Sequence, residues 1–288
     1  MGDTVTAVAA TAGTGGWFCP CWSLLGPLLG SVRGRGVRPT WPTLGPVPDA
    51  ALVLAVDTAT PAVTAALIEV RPAGGAGWSA GLRVLAAEVT VDARRHGELL
   101  APAIAAVLSG AGRAAGELTA VVAGLGPGPY TGLRVGLVTA AALADATGVP
   151  AYGVCSLDAV ALPVAGQVGA AGRLLAATDA RRREVYWACY DHDGARRTDP
   201  AVTRPADLAE LAGQPGNRVT AMCGAGARLY ADQLPFPLLA ADHPDPLALA
   251  ALARGRVLAG APADPLTPLY LRRPDAVEPA RRKAVTPA

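Results

Sequence analysis

The first sustained pattern of hydrophobic positions begins near residue 50 and predicts a group of strands. Residues 52–56 form a continuous apolar run, which suits a strand buried on both faces, and this run ends at Asp57. Alternating residues 63–68 and a further run at 84–91 predict two more strands. Because no helical segment separates them, the three strands are expected to form an antiparallel meander.

Helical spacing follows this meander. Apolar residues recur at the i, i+4, i+7 and i+8 positions from Leu100, including Ile104, and predict a helix over about 97–110. The apolar run Ala120–Gly124 predicts another buried strand, and a Gly/Pro loop then leads to a helix over about 132–147. The predicted order is β-β-β-α-β-α.

The second half of the chain starts with a similar pattern. The apolar run at 174–178 ends at Asp179, as the first run ends at Asp57, and an alternating strand follows each of them. Further helices are predicted at about 205–211 and 246–252. The sequence therefore predicts an α/β fold of two related lobes, of which the second is smaller and degenerate.

Composition agrees with a folded protein. The 288 residues are 51% hydrophobic and 17% charged, with a net charge of +2, which excludes a disordered or polybasic chain. We expect an extension without a packed core at residues 1–49, lobes at 50–155 and 156–275, and a tail at 276–288.

The cellular compartment is inferred from cysteines and hydropathy. The five cysteines are odd in number and none has a C-x-x-C spacing, which favours a reduced, cytoplasmic protein. No stretch reaches the ~18 apolar residues of a membrane span. Neither a membrane nor DNA is expected as a partner.

The turn after the first strand carries the first candidate chemistry. Asp57, Thr58 and Thr60 occupy the place where one class of ATPases builds a turn that faces phosphate. The same short polar side chains also satisfy backbone donors in ordinary tight turns. Both interpretations remain open from the sequence.

The loop at 126–134 is the second candidate for phosphate contact. Gly126, Gly128 and Gly132 permit unusual backbone conformations, and Thr131 is a candidate helix cap, so the loop amides could face an anion. No Gly-Lys-Ser/Thr follows, so this is not a Walker loop. Helix capping without a ligand explains the same residues equally well.

Small residues recur at every fourth position of the following helix: Gly132, Gly136, Ala140 and Ala144. Such a stripe permits close approach of another element. A partner protein and the chain's own sheet are equally good candidates for that element.

A catalytic or metal centre is hard to assemble from this sequence. The residue four positions after His96 is Leu100, so no His pair can hold a metal from one helix, and no Gly-x-Ser-x-Gly elbow exists. We therefore predict neither catalytic nor metal-binding residues. The arginines at 181–183 stand where a phosphate turn would prefer glycine; they are ordinary solvated charges or contacts for RNA or an acidic partner.

Five segments in a fixed order carry a family resemblance: residues 54–60, 95–96, 126–136, 179–188 and 268–272. This combination resembles the TsaB (YeaZ) family, a bacterial partner subunit in making threonylcarbamoyladenosine on tRNA. The likeness covers about residues 51–275.

The resemblance implies an actin-like, Hsp70-like ATPase (ASKHA) fold and a non-catalytic scaffold role. In that family, TsaD transfers threonylcarbamoyl to N6 of the adenosine adjacent to the anticodon, with TsaE as an accessory ATPase. It implies a heterodimer with TsaD, a homodimer when TsaD is absent, tRNA contact through the complex, and no cofactor on this chain alone, with room for ATP or ADP at the complex interface. The implied partner interface comprises His96, Leu100, Ile104, Gly132, Arg134, Gly136, Ala140 and Ala144.

The same residues suggest two alternative functions. An autonomous ATP-binding enzyme of the same fold is the alternative suggested by the Asp57 turn and the 126–134 loop. Older descriptions of such proteins as glycopeptidases, of the peptidase M22 type, require a nucleophile or metal that this sequence lacks.

Overall fold

Two mixed β-sheets form the framework of the chain. A computed structural model describes residues 50–272, apart from residue 215. The first sheet has the strand order β3-β2-β1-β4-β5. Its strands β1, β2 and β3 are antiparallel, whereas β4 and β5 run parallel to β1. Their bounds are Ala51–Asp57, Ala62–Val70, Leu82–Val91, Ala120–Gly124 and Ala151–Val154.

The second sheet repeats this arrangement without a fifth strand. Its order is β8-β7-β6-β9, with β6, β7 and β8 antiparallel and β9 parallel to β6. The bounds of β6, β7, β8 and β9 are Arg173–Asp179, Val185–Tyr190, Ala201–Thr203 and Val219–Cys223. The α/β class predicted from the sequence is confirmed.

Six helices cover the two sheets in the described part of the chain. Helices α1 and α2 cover one face of the first sheet, α6 covers its other face, α3 lies between the sheets, and α4 and α5 cover the second sheet. The bounds of α1 to α6 are His96–Gly110, Tyr130–Thr147, Ser156–Ala165, Pro205–Gly213, Ala225–Leu229 and Pro246–Leu258. β1 is almost wholly buried because helices cover both of its faces, as its continuous apolar run predicts.

The hydrophobic pattern located most elements correctly, and the exceptions have local causes. β8 has only three residues and β9 only five, too few for a clear period. Thr131 is not a cap: α2 begins at Tyr130, and Pro129 occupies the N-cap position. The predicted extension at 1–49 and tail at 276–288 lie outside the described residues.

Helix α6 packs on the sheet of the first predicted lobe, although its residues belong to the second. It belongs to the segment 156–275, yet Leu249 and Ala253 pack in the same cluster as Val53 and Ile68 of the first sheet. A division at residue 155 therefore separates the two sheets but not the helices that cover them.

The stripe of small residues on α2 faces the chain's own core. Ala140 and Ala144 are buried in the cluster between α2 and the first sheet. The amide of Gly136 donates a hydrogen bond of 2.9 Å to Thr58 Oγ1, and a Cβ on Gly136 would lie 2.5 Å from that oxygen. The element that approaches the stripe is therefore the turn after β1, not a partner.

The same correction applies to α1. Leu100 and Ile104 are 1% and 4% exposed and pack in the same core cluster as the α2 stripe. Apolar residues at helical spacing indicate a buried face, but the sequence does not reveal whether their own sheet or another chain buries it. These residues cannot form the exposed partner surface expected of them.

None of the helices in residues 50–272 combines the length and hydropathy needed to cross a membrane.

The close packing of Gly136 gives a direct test. Gly136→Ala should lower the free energy of unfolding by about 1–3 kcal/mol, because the added methyl group collides with Thr58. Urea unfolding of the full chain measures this change. Gly97→Ala is the matched control, because its Cβ would meet only Val135 Cγ2 at 4.0 Å. It should be neutral or slightly stabilising, so equal losses in the two variants would contradict close packing at Gly136.

Candidate functional site

The carboxylate of Asp57 ends β1 in a fully buried position. Its Oδ1 accepts a hydrogen bond of 2.8 Å from the amide of Ala59, and its Oδ2 accepts one of 2.5 Å from the hydroxyl of Ser156. A side chain on Gly124, at the end of the neighbouring β4, would overlap this carboxylate. Asp57 thus links the end of β1 to the first residue of α3.

The loop at 126–132 packs directly onto this turn. Ser156 Oγ also accepts a hydrogen bond of 3.1 Å from the amide of Gly126. A Cβ on Gly128 would lie 2.2 Å from the carbonyl oxygen of Ala59, so only glycine permits this approach. Thr58 Oγ1 donates to the carbonyl of Gly132 over 2.8 Å.

These contacts explain the polar residues of the turn. Asp57, Thr58 and Thr60 are only 1–3% exposed, and Thr60 Oγ1 accepts a bond of 3.2 Å from Ala62. The side chains that could have faced a phosphate are instead hydrogen-bonded within the chain: Asp57 to Ala59 and Ser156, Thr58 to Gly132 and Gly136, and Thr60 to Ala62. The geometry therefore favours the interpretation that these side chains satisfy backbone donors and fix the loop.

His96, at the start of α1, contacts the same turn. Its ring is buried, and Nε2 lies 2.8 Å from the carbonyl oxygen of Thr60, which can only accept a hydrogen bond. A Cβ on Gly132 would lie 3.5 Å from the ring, so α1 and α2 meet closely here. His96 of α1 and Gly132 of α2 were both predicted at a partner interface. They instead face each other inside the chain.

The potential nucleophiles of this region are held in unreactive surroundings. Ser156 is 1% exposed, and its hydroxyl proton goes to Asp57. Burial raises the pKa of the neighbouring Cys155 thiol to about 12, which keeps it protonated at neutral pH. In residues 50–272, His, Cys, Asp and Glu form no group of three that could hold a metal ion.

A cleft opens beside the closed turn, between the two sheets. It has a volume of about 420 Å³, and its walls are Gly128, Pro129, Tyr130, Ala180, Arg181, Arg182, Tyr186, Tyr270, Leu271 and Arg272. A smaller cleft of about 240 Å³ shares Pro129, Tyr130 and Arg181 with it. Its wall also includes Arg94 and His96, and its floor reaches Thr58, Thr60 and Gly132 of the turn and loop. The two clefts adjoin along the start of α2.

Two exposed tyrosines stand in the larger cleft. The rings of Tyr130 and Tyr270 stack with centroids 5.0 Å apart. The guanidinium of Arg134 lies 3.9 Å from the Tyr130 centroid, and its Nε donates to the Tyr270 hydroxyl over 2.9 Å. Arg134, which was expected at a partner interface, is therefore engaged at the cleft. Sequence reasoning missed the two tyrosines, because they are 140 positions apart with no shared pattern.

The arginine cluster forms an unusual backbone turn on the opposite wall. Arg181, Arg182 and Arg183 all have left-handed φ angles of 56–60°. Each such residue costs about 1–2 kcal/mol relative to right-handed backbone. Asp179 Oδ1 stabilises the turn by accepting a bond of 2.8 Å from the amide of Arg181, and the carbonyl of Glu184 accepts another from Ala180.

Burial of Asp57 makes folding stability depend on pH. Desolvation by burial raises the pKa of this carboxyl from 3.8 to about 6, against the opposing effect of the Ser156 hydrogen bond. The folded state therefore holds the proton more tightly than the unfolded state. This contribution is fully present below about pH 4 and is lost as the pH rises through about 6.

We expect Asp57→Asn to remove this dependence. Between pH 4 and pH 7, the wild-type chain should lose about 2–3 kcal/mol of stability that the variant does not lose. Chemical denaturation at several pH values measures the difference. Asp92→Asn is the control. Hydrogen bonds from Arg94 and Arg95 lower the pKa of Asp92 from its usual value of 3.8, so any change in stability from its titration occurs below the tested range of pH 4 to 7. Parallel wild-type and Asp57→Asn profiles would refute the raised pKa.

The strained turn gives a second prediction. Arg183→Gly should raise stability by about 0.5–1 kcal/mol, because glycine adopts left-handed φ without a steric cost. Arg183→Ala removes the same guanidinium but keeps the Cβ, so it should give no such gain. Thermal unfolding compares the two variants, and equal melting temperatures would argue against backbone strain at residue 183.

Comparisons with known proteins identify the family of the chain. The family model "TsaD: tRNA N6-adenosine threonylcarbamoyltransferase" matches residues 84–248, more than half of the chain. An uncharacterized protein of Mycobacterium tuberculosis (strain ATCC 25618 / H37Rv) is 47% identical over 224 residues, which cover 78% of this chain and 93% of that protein.

Two relatives with names indicate which branch of this family the chain resembles. The "tRNA threonylcarbamoyladenosine biosynthesis protein TsaB" of Escherichia coli (strain K12) is 36% identical over 141 residues, 49% of this chain and 55% of that protein. The solved structure "YeaZ from Pseudomonas aeruginosa" aligns with a TM-score of 0.60 and 29% identity, covering 77% of this chain and 100% of the other. The chain belongs to the TsaD family and, within it, is a TsaB/YeaZ-like protein.

Proposed function

We propose that this chain is a non-catalytic subunit in tRNA threonylcarbamoyladenosine biosynthesis that docks a TsaD subunit and holds it in place. The biosynthetic role is supported by the relatives named TsaB. The lack of a catalytic role is supported by the closed turn, in which Asp57, Thr58 and Ser156 are bonded within the chain.

The observation that carries the docking proposal is the outward face of α1 and α2. Val138 on α2 is 56% exposed, and Pro102, Ala106 and Ala141 are exposed on the same two helices. The only charged residues of the two helices are Glu98, Arg134 and Asp145, near helix ends. Small apolar residues without charge are typical of an interface that another protein covers.

This face replaces the buried stripe as the proposed interface. The stripe packs on the first sheet, and the outward residues lie on the opposite side of the same helices. We assign the face to TsaD in a heterodimer and to a second copy of the chain when TsaD is absent. TsaE and tRNA then join through the complex in the cytoplasm.

The fold supports the same assignment. Both sheets have three antiparallel strands followed by one parallel strand, in one shared order. Such a repeat is the arrangement expected of two related lobes in an actin-like, Hsp70-like ATPase fold. We place any ATP or ADP at the interface with TsaD, because in this chain the corresponding turn is filled by its own loop.

The docking face can be tested with two matched valines. Val138→Glu should abolish co-elution with TsaD in sizing chromatography at micromolar concentration, because it places a charge inside the apolar interface. Val89→Glu is the control, because Val89 is 51% exposed but lies on the edge strand β3. It should co-elute like the wild type. Co-elution of the Val138→Glu variant, or no complex with the wild type, would contradict the proposal.

A further inference from the structure

We infer that the cleft between the two sheets binds a single-stranded segment of RNA. Its phosphates would meet the arginines of the walls, and its bases would stack on the exposed tyrosines. This inference rests on the proposed function for the identity of the ligand, and it names the part of this chain that holds the tRNA substrate. The residues involved are Arg94, Arg181, Arg182, Arg272, Tyr130 and Tyr270.

Charge is the first argument. Four arginines and no carboxylate line the two adjoining clefts, as far as the described residues reach. Asp179 lies 3.6 Å from the guanidinium of Arg181, and Glu184 forms an ion pair with Arg272. Both acids lie outside the walls and offset part of the charge of these two arginines. Since the whole chain carries a net charge of only +2, this is a local concentration of positive charge suited to a polyanion.

The aromatic pair is the second argument. Tyr130 and Tyr270 are 41% and 38% exposed, so part of each ring remains open to solvent within the charged cleft. Arg134 holds the pair together through its contact with Tyr130 and its hydrogen bond to Tyr270. Arginines that meet phosphates beside rings that meet bases are the combination by which proteins bind unpaired nucleic acid.

Shape distinguishes a strand from a single nucleotide. The clefts of about 420 and 240 Å³ share Pro129, Tyr130 and Arg181, so they form one continuous site. Basic residues stand along its length, with Arg94 on the smaller cleft and Arg272 on the larger. Several phosphates in a row fit this distribution better than one phosphate group.

Backbone strain at 181–183 supports the same inference. The left-handed turn at 181–183 has unfavourable φ angles at three successive residues, and all three side chains are exposed. Asp179 and the carbonyl of Glu184 keep the turn in this conformation. Strain that the surrounding structure maintains is typical of sites that bind ligands.

The test measures binding of a fluorescent anticodon stem-loop RNA to the full chain at salt concentrations from about 50 to 200 mM. The double variant Arg94→Gln, Arg181→Gln should bind about ten-fold more weakly. Its slope of log affinity against log salt should fall by about 1.4, since each phosphate contact with a single strand contributes about 0.7.

Substitution of the tyrosine separates stacking from charge. Tyr270→Leu should weaken binding about five-fold or more with an unchanged salt slope. Tyr270→Phe keeps the ring and loses only the hydrogen bond from Arg134, so it should stay within about two-fold of the wild type. The matched control for the arginines is Arg71→Gln, Arg113→Gln, because both residues are exposed and ion-paired but lie outside the cleft. The control should keep the wild-type affinity and slope.

Each contrary result overturns the inference. Equal losses in the control and cleft variants would indicate diffuse charge, equal competition by free AMP would indicate a mononucleotide site, and equal competition by polyglutamate would indicate an acidic protein partner. Sizing chromatography with TsaD separates the two proposals. Cleft variants that still co-elute with TsaD but bind RNA like the wild type refute only the cleft, whereas RNA binding without TsaD co-elution refutes only the docking role.

Discussion

The buried carboxylate of Asp57 joins three segments that are far apart in the sequence. It fixes its own turn through the amide of Ala59 and holds the start of α3 through Ser156. The same hydroxyl receives the amide of Gly126, so the loop before α2 is anchored to the same point. A buried charge is costly unless it is hydrogen-bonded, and the raised pKa of Asp57 reflects that cost. This junction fixes the turn after β1, the loop before α2 and the start of α3 relative to one another.

Closing the turn determines where the chain can still interact. The loop at 126–132 covers the turn, and the glycines within it permit an approach too close for any side chain. We therefore assign ligand contact to the cleft between the sheets, where arginines and tyrosines take the place of turn amides. The face of α1 and α2 that points away from the sheet is a separate apolar surface. The proposed ligand cleft and the proposed docking face thus lie along one helix: the cleft is at the start of α2, at Tyr130 and Arg134, and the docking face is further along, at Val138 and Ala141.

The order of elements could be predicted because burial on both faces leaves a strong signal. The run in β1 and the helical spacing in α1 follow directly from which faces are covered. The Asp57 turn and the 126–134 loop could also be recognised as a pair from their residue types. The contacts between the turn and the loop could not be predicted. Thr58 donates a hydrogen bond to Gly132 and accepts one from Gly136, and both bonds join positions more than 70 residues apart.

The sequence by itself determined the class of fold, the first four strands of the first sheet and the family resemblance, since these depend on local periodicity and on motifs in a fixed order. Only the tertiary structure decided which face of α2 is buried, that Ser156 is a partner of Asp57, and that Tyr130 and Tyr270 stack. The physical reason is the same in each case. Hydrophobic periodicity indicates that one face of a helix or strand is buried. Which group buries that face depends on packing between segments that are distant in the sequence.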